Sequence, residues 1–143
     1  PMFDGLENRI SQAVFAIPAI KAIEFGDGFK LSELKGSEAR DEYVASDGKI
    51  ALTSNHNGGI LGGISTGEAV NFRVCIKPTP SISIPSKSVS YSRGENVELK
   101  ISGRHDPCIA LRAVPCVEAA AALAVLDLML GDINFSGRFV FND

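Results

Sequence analysis

The feature that most constrains this chain is a nearly unbroken apolar run from Cys116 to Leu130. Only Glu118 and Asp127 carry charge within CVEAAAALAVLDLML, so most of its surface favours burial away from water. The run is shorter than the roughly 20 residues that cross a bilayer, and Asp127 would lie within the hydrocarbon. The pattern therefore predicts a helix buried in the core of a globular domain.

Length and composition describe one ordinary domain or a piece of a larger one. The chain has 143 residues, 45% of them hydrophobic and 22% charged, which is typical of a folded chain with a real core. A net charge of -3 and the lack of a polybasic run give no general attraction to nucleic acid or to an anionic membrane. The opening PMFDGLENRI is acidic and amphipathic, which is not typical of a secretory signal.

The cysteines favour a reducing compartment. Cys75, Cys108 and Cys116 are odd in number and form no CxxC pair. With His56 and His105 as the only histidines in the sequence, a closed zinc site is not expected. Free thiols in the cytoplasm are the simplest interpretation, with no metal.

Apolar periodicity predicts one helix near the start of the chain and two strands later. Leu6, Ile10, Val14 and Ile17 recur at helical spacing, Asp4 is placed to cap the helix, and Pro18 predicts its end. Further along, 70–76 and 97–102 alternate between apolar and polar residues. Strands that are apolar on one side favour an antiparallel sheet with helices on one face. The expected fold class is therefore α+β, in one unit over 1–143.

The remaining segments predict turns and exposed loops. Residues 35–50 are polar and of mixed charge, which indicates an exposed excursion. SNHNGGILGGISTGE, at 54–68, is rich in glycine and predicts turns around a short strand. It contains neither GxGxxG nor a P-loop lysine, so a dinucleotide or nucleoside triphosphate fold has no support.

Charged residues stand unexpectedly close to the apolar run, in SGRHDPCIALRAVP at 102–115. Asp106-Pro107 predicts a helix start, with aspartate as the N-cap and proline at the first helical position. A helix N-terminus also stabilises anions, and Arg104 adds a permanent positive charge. Arg104 and His105 also fit a solvated surface pair. A nucleophilic triad is disfavoured, because neighbours along an extended chain point to opposite faces.

KPTPS, at 77–81 and here termed the KPTPS segment, combines charge, hydroxyls and a stiff backbone. Lys77 brings the charge, Thr79 and Ser81 bring the hydroxyls, and the prolines reduce the entropy lost on binding. Phosphate or another anion suits such a segment. A plain loop also fits and is favoured by these residues taken alone, since loops use the same residues.

Five separated segments stand in a distinctive order: IPAIKAIEFGDGF, KGSEARDE, SNHNGGILGGISTGE, KPTPSI and GRHDPCIALRAVPCVEA. In this order and spacing they resemble the C-terminal part of chorismate synthase. The resemblance runs from Pro1 to about Leu130 and covers less than half of the family's chain, without its N-terminal part. It implies about half of a β-α-β sandwich, in which long helices lie between antiparallel sheets, and a homotetramer at full length.

The resemblance also implies an activity. Chorismate synthase is the lyase of the shikimate pathway, and thus of aromatic amino acid biosynthesis, that converts 5-enolpyruvylshikimate 3-phosphate to chorismate and phosphate by a 1,4-anti elimination. Reduced FMN is required although the reaction involves no net oxidation. The resemblance implies that the flavin lends electron density as phosphate leaves and that its N5 accepts the proton. Some members also possess a flavin reductase activity linked to NADP, and the motifs in this sequence do not indicate it either way.

Carried over motif by motif, the resemblance assigns site residues. Gly62 lies where a missing Cβ lets backbone approach the cofactor. The implied FMN-contacting residues are Pro18, Ala19, Gly62, Lys77, Pro78, Thr79, Pro80, Ser81 and Arg104. Asp106 matches an aspartate near flavin N5 and is the implied catalytic residue, assisting proton handling. His56 and His105 are not the family's two catalytic histidines, which lie in the N-terminal part.

The chain is therefore expected to supply one wall of an FMN site and not to turn over substrate alone. It is also expected to expose apolar surface, above all at 116–130, and to self-associate or bind the missing segment. Two alternatives stay open: a flavin- or anion-binding module that acts by binding alone, and an assembly segment whose charged residues only cap and solvate. The tail GDINFSGRFVFND predicts a short edge strand around Phe139 to Phe141.

Overall fold

A computed structural model describes residues 1–104 and 106–136, with side chains as far as Gly131. His105 and the predicted strand at 139–141 lie outside the described residues. A short 3-10 helix, Gly28–Glu33, follows the first strand. The helices and strands are, in chain order, α1 Leu6–Phe15, β1 Ile20–Phe25, α2 Gly36–Ala39, β2 Tyr43–Ser46, β3 Lys49–Leu52, β4 Ile60–Leu61, β5 Ile64–Ser65, β6 Phe72–Ile76, β7 Ser86–Ser90, β8 Glu95–Leu99 and α3 Ala110–Ser136.

The core lies where α1, α3 and the β1–β6 pair meet. Ile10 and Val14 of α1 are almost fully buried against Ile20 of β1 and Ala124 of α3. The helical spacing read from the sequence is thus confirmed. The predicted cap is wrong, because Gly5 occupies the N-cap position without a side-chain bond. Asp4 instead forms a 3.6 Å ion pair with Arg9.

The strand prediction at 70–76 is confirmed by β6. It pairs antiparallel with β1, from Ile20 opposite Ile76 to Phe25 opposite Phe72. Its apolar side chains are half-buried against the helices, while Arg73 and Cys75 are exposed. The face that alternation assigned to the core is therefore the one that packs on α1 and α3.

The second predicted strand forms, but in a different pair. β8 pairs with β7, and the described strands make four separate two-stranded sheets instead of one continuous sheet. Ile101 falls after the end of β8, and Leu99 remains 45% exposed. The segment 35–50 is an exposed excursion as expected, built from α2 and the β2–β3 hairpin. The mixture of helices with antiparallel strand pairs confirms the α+β class.

The apolar run is helical, as expected, but belongs to a longer helix that is covered on one side only. Ala124 is buried against α1, and its partly buried neighbours include Val117 and Ala121. By length and composition, Ala110–Gly131 is the one helix in the described chain that could cross a membrane, a test that core helices also pass. The exposed large apolar residues of α3 are Leu111, Val114, Leu123, Leu126, Met129 and Leu130. The prediction of a buried core helix is therefore wrong for this chain by itself, and the expected exposure of apolar surface at 116–130 is confirmed.

Candidate functional site

Two of the sequence-predicted segments meet at one end of the β1–β6 pair. Ile20 lies opposite Ile76, so the residues flanking this pair, Ala19 and Lys77, are brought together. The Lys77 backbone N–H donates to the Ala19 carbonyl at 2.8 Å. The strand register therefore joins the loop after α1 to the start of the KPTPS segment.

Ala19 has a strained backbone. Its φ is 71°, and among the described non-glycine residues only Asp47 shares a positive φ. The left-handed region is unfavourable by about 1–2 kcal/mol for a residue with a Cβ. Such conformations persist only where surrounding structure fixes them, and they are common at binding and catalytic sites. The strain thus marks a position that the resemblance assigned independently to cofactor contact.

The KPTPS segment contains a buried hydroxyl without a partner. Thr79 Oγ1 is shielded from solvent and finds no hydrogen-bond partner among the described protein groups. Leaving a buried donor or acceptor unpaired is unfavourable by about 1–3 kcal/mol. Lys77, Pro78, Pro80 and Ser81 around it are exposed. The segment therefore offers one unused hydroxyl and one cationic side chain, which fits a ligand that carries hydrogen-bonding oxygen atoms.

Gly62 lies at the tip of the β4–β5 hairpin. Its φ of 60° is the reason a glycine suits this turn, and a Cβ there would meet nothing within 4 Å. The Leu6 N–H donates to the Gly63 carbonyl at 2.9 Å, so the hairpin lies at the beginning of α1. Ala19 follows the other end of that helix, whose ten residues span about 15 Å. Gly62 is thus placed at the opposite end of α1 from Ala19 and Lys77.

Arg104 and Asp106 line a cavity of about 310 Å³ ahead of α3, together with Pro107 and Arg112. Asp106 Oδ2 accepts a hydrogen bond from Arg112 Nη1 at 3.0 Å, and Oδ1 accepts one from the Cys108 N–H at 3.3 Å. One cavity therefore holds a carboxylate together with two cationic side chains, one of which is bonded to it.

Asp106 is not the helix cap that the sequence predicted. Its carboxylate closes a turn onto Cys108, and helical hydrogen bonding starts later, with the Ala113 N–H donating to Ile109. α3 accordingly begins at Ala110. Arg112 was missed by sequence reasoning, because its contact with Asp106 depends on this irregular turn and not on a fixed helical spacing.

The first half of α3 packs beside β6. A groove of about 400 Å³ runs between β6 and α3, and its lining includes both Ile76 and Ala110. Lys77 directly follows β6 and the Arg104–Asp106 cluster precedes α3, so both segments adjoin elements that line this groove. The structure thus brings Ala19 to Lys77 and Arg104 to Asp106 as two separate groups, with the Gly62 hairpin at the other end of α1 from Ala19.

Sequence reasoning also missed a network around Asp41, formed by Asp41, Ser54, His56 and Asn57 and here termed the Asp41 network. Oδ1 accepts from Ser54 Oγ at 2.6 Å and from the His56 N–H at 2.8 Å. Oδ2 accepts from the N–H and the Nδ2 of Asn57, at 3.0 and 2.9 Å. Partial burial raises the pKa of Asp41, but these hydrogen bonds outweigh it and lower the pKa to about 2.

His56, which the resemblance does not count among the catalytic histidines, is bonded to Asp27. His56 Nδ1 and Asp27 Oδ2 are 2.7 Å apart, and the Asp27 N–H donates to the His56 carbonyl at 2.9 Å. The bond from His56 lowers the pKa of Asp27, against a smaller opposing effect of burial. This pair joins the end of β1 to the glycine-rich loop, which is a structural role.

Comparison with known proteins identifies the family. The chorismate synthase family model matches residues 1–130. The chorismate synthase of Lancefieldella parvula is 54% identical over 129 residues, which cover 90% of this chain and 34% of the relative. That of Archaeoglobus fulgidus is 49% identical over 130 residues, covering 91% and 36%.

A solved structure agrees with these matches. A crystal structure of chorismate synthase superposes with a TM-score of 0.51 at 40% identity, over 53% of this chain and 23% of that chain. The chain thus spans about a third of the length of the curated relatives it matches. From the family match and the shared fold, the chain belongs to the chorismate synthase family.

Proposed function

We propose that this chain supplies the C-terminal wall of a chorismate synthase active site, which binds reduced FMN and 5-enolpyruvylshikimate 3-phosphate. The whole enzyme is a lyase that releases chorismate and phosphate by 1,4-anti elimination, and it works as a cytoplasmic homotetramer. The observation that carries the proposal is the meeting of strained Ala19 with Lys77, next to the unpartnered hydroxyl of Thr79. Family membership supplies the identity of the ligand.

The residues of the site fit the chemistry of FMN. Lys77 and Arg104 offer cationic groups for anionic oxygens, and the Thr79 hydroxyl offers a hydrogen bond that no described protein group takes up. Pro78 and Pro80 stiffen the segment, so less entropy is lost when it binds. FMN is elongated, and its ring system and phosphate at opposite ends suit residues spread along α1, from Gly62 to Ala19. When bound, the reduced cofactor would supply electron density to the substrate as the phosphate leaves, and a nitrogen that accepts a proton.

Asp106 is assigned to proton handling. Its carboxylate is held from two sides, by the Cys108 N–H and by Arg112, so its oxygens keep one orientation. A general acid or base needs such fixed geometry before its pKa becomes useful. In this assignment Arg112 positions Asp106, while Arg104 contacts the anionic groups in the same cavity.

The chain alone is proposed to bind without catalysing. The resemblance places the two catalytic histidines of the family in the N-terminal part, and the chain spans about a third of its relatives. A site that lacks its acid–base groups retains binding and loses turnover. We therefore expect flavin binding by these residues and no formation of chorismate.

The test is an anaerobic titration of the chain with reduced FMN, followed by flavin absorbance and fluorescence. Arg104→Ala should weaken binding by about tenfold, because one charge-assisted contact is lost. Arg93→Ala is the matched control, since Arg93 is exposed beside the β7–β8 turn and pairs with Glu95. Equal affinity in all three proteins would contradict the proposal. Absence of binding in all three would instead favour an assembly segment.

A further inference from the structure

We propose that Asp41 is a positioning residue for this site: it holds the loop before the glycine turn (residues 58–63) and so sets where Gly62 is presented. The identity of the cofactor rests on the proposed function. The positioning itself is a property of this chain. Asp41 stands in KGSEARDE, a segment to which sequence reasoning assigned no role.

The first step is that one carboxylate orders the whole loop. The Asp41 carboxylate accepts hydrogen bonds from four donor groups. These belong to Ser54, His56 and Asn57, which lie between 13 and 16 residues further along the chain. Two of them are backbone N–H groups, so the bonds fix the path of the main chain as well as the side chains. Every oxygen receives two donors, an arrangement that an ionised carboxylate satisfies and a neutral amide does not.

The second step is that this loop leads directly into the glycine turn. Asn55 Oδ1 accepts from the Gly59 N–H at 2.6 Å, and Asn55 Nδ2 donates to the Ala69 carbonyl at 2.9 Å. The Thr66 N–H returns to the Gly59 carbonyl at 2.9 Å and closes the base of the β4–β5 hairpin. Displacement of the loop would therefore move both ends of the hairpin that carries Gly62.

The third step is that close packing against neighbouring backbone leaves the glycine turn no alternative path. Gly58 and Gly59 have φ values of 68° and 81°, and a Cβ on either would collide with backbone, that of Gly26 or Ala69 respectively. Asp41 and Asn57 also share a cavity of about 140 Å³ with Leu61, the residue before Gly62. The carboxylate thus acts on Gly62 through contiguous packed backbone.

The test compares amide hydrogen exchange, read by NMR, in the wild-type chain, Asp41→Asn and Asp47→Asn. Asp47 is an exposed aspartate in the β2–β3 turn, and asparagine tolerates its φ of 50°. The reporter amides are those of Gly59, Thr66 and Asn71, each hydrogen-bonded within or beside the glycine turn. In Asp41→Asn they should exchange at least about tenfold faster, with the amides of β1 and β6 unchanged.

Lowering the pH distinguishes two roles for Asp41: positioning of the loop by its negative charge, and general stabilisation of the fold. In the wild-type chain, protonation of Asp41 should lower the protection factors of the three reporter amides, which correct for the intrinsic pH dependence of exchange, before those of β1 and β6. Arg40 and Tyr43 line the same cavity, and Asp27 reaches the same loop through its bond to His56 Nδ1. Asp41→Asn should lack this acid step. If Asp41→Asn does not fold, Ser54→Ala removes one of the four bonds, and a smaller acceleration of the same amides is expected.

Failure of the positioning role of Asp41 and failure of the proposed function would give different experimental results. Equal exchange of the reporter amides in wild type and Asp41→Asn would overturn the positioning role, whatever the flavin result. If these amides accelerate and the wild-type chain binds reduced FMN, Asp41→Asn should bind it about tenfold more weakly, because the turn is no longer preset. Faster exchange with no flavin binding even in the wild type would support Asp41's role and overturn the proposed function.

Discussion

The Asp41 network and the KPTPS segment are both irregular, yet their polar groups are satisfied to very different degrees. Asp41 receives four hydrogen bonds from its own chain. Thr79 buries a hydroxyl that no described protein group hydrogen-bonds, and Ala19, which is bonded to Lys77 of the same segment, keeps a strained backbone. Buried polar groups in folded proteins are nearly always paired, with protein groups or with ordered water. The first region is completed by the chain itself, whereas the second leaves one hydroxyl open to a water molecule or a ligand.

The same contrast extends to the apolar surface. Ile10 and Val14 are sealed between α1, α3 and the sheet, whereas Leu111 and Leu123 of α3 are 77% and 66% exposed. Exposed apolar surface of this extent is typical of an interaction face. The apolar face of α1 is therefore covered by the rest of the chain, whereas the outer face of α3 is exposed to solvent.

The glycines provide the largest test of this contrast. Gly58→Ala should destabilise the fold by about 4 kcal/mol, because a Cβ there collides with the backbone of Gly26 and Asn71 at a positive φ. Gly62→Ala is the matched control, with a similar φ but nothing within 4 Å of the added Cβ. It should lose only about 1–2 kcal/mol. Urea unfolding of both variants measures the difference, and equal losses would break the comparison.

Acid should act on the Asp41 network before the rest of the fold. Because the folded-state pKa of Asp41 is lowered from 3.8 to about 2, its contribution to the free energy of unfolding is fully present above pH 3.8. That contribution is lost as the pH falls through about 2. Unfolding measured across this window should show a decline in the wild type that is smaller in Asp41→Asn. Identical slopes would show that these hydrogen bonds add nothing to stability.

Thr79→Val gives the smallest expected change and the opposite sign. Valine has nearly the same shape and removes a hydroxyl that has no described partner, so stability should rise by up to about 1 kcal/mol. Reduced-FMN affinity should fall, because the unused hydroxyl is the group assigned to the ligand. Thr53→Val, at an exposed threonine, serves as the control and should alter neither quantity. A loss of stability in Thr79→Val would indicate a partner within the protein.

Local patterns predicted the elements, and contacts between distant segments decided the rest. Helical spacing identified the buried face of α1, and alternation identified β6, since both depend only on neighbouring residues. The sequence did not indicate that the strand predicted at 97–102, which forms as β8, pairs with β7 instead of extending one sheet. Strand pairing involves residues far apart in the chain, which periodicity does not encode.

The site was predicted unevenly for the same reason. The resemblance selected Ala19 and Lys77, and their contact follows from the β1–β6 register. Local residue preferences assigned Asp106 to the N-cap of a helix. In the structure its carboxylate accepts a hydrogen bond from the Cys108 N–H instead, and the helix begins at Ala110. The Asp41 network was invisible because its partners lie 13 or more residues away in a loop without periodicity.

The most direct measurement of the central claim is the activity of a chimera. The chain would replace the corresponding C-terminal third of the Lancefieldella parvula chorismate synthase, to which it is 54% identical over 129 residues. With reduced FMN and 5-enolpyruvylshikimate 3-phosphate under anaerobic conditions, the chimera should form chorismate, the chain alone should form none, and Arg104→Ala in the chimera should lower the rate. A folded, flavin-binding chimera that forms no chorismate, or turnover by the chain alone, would contradict the assignment of these residues to one wall of the active site.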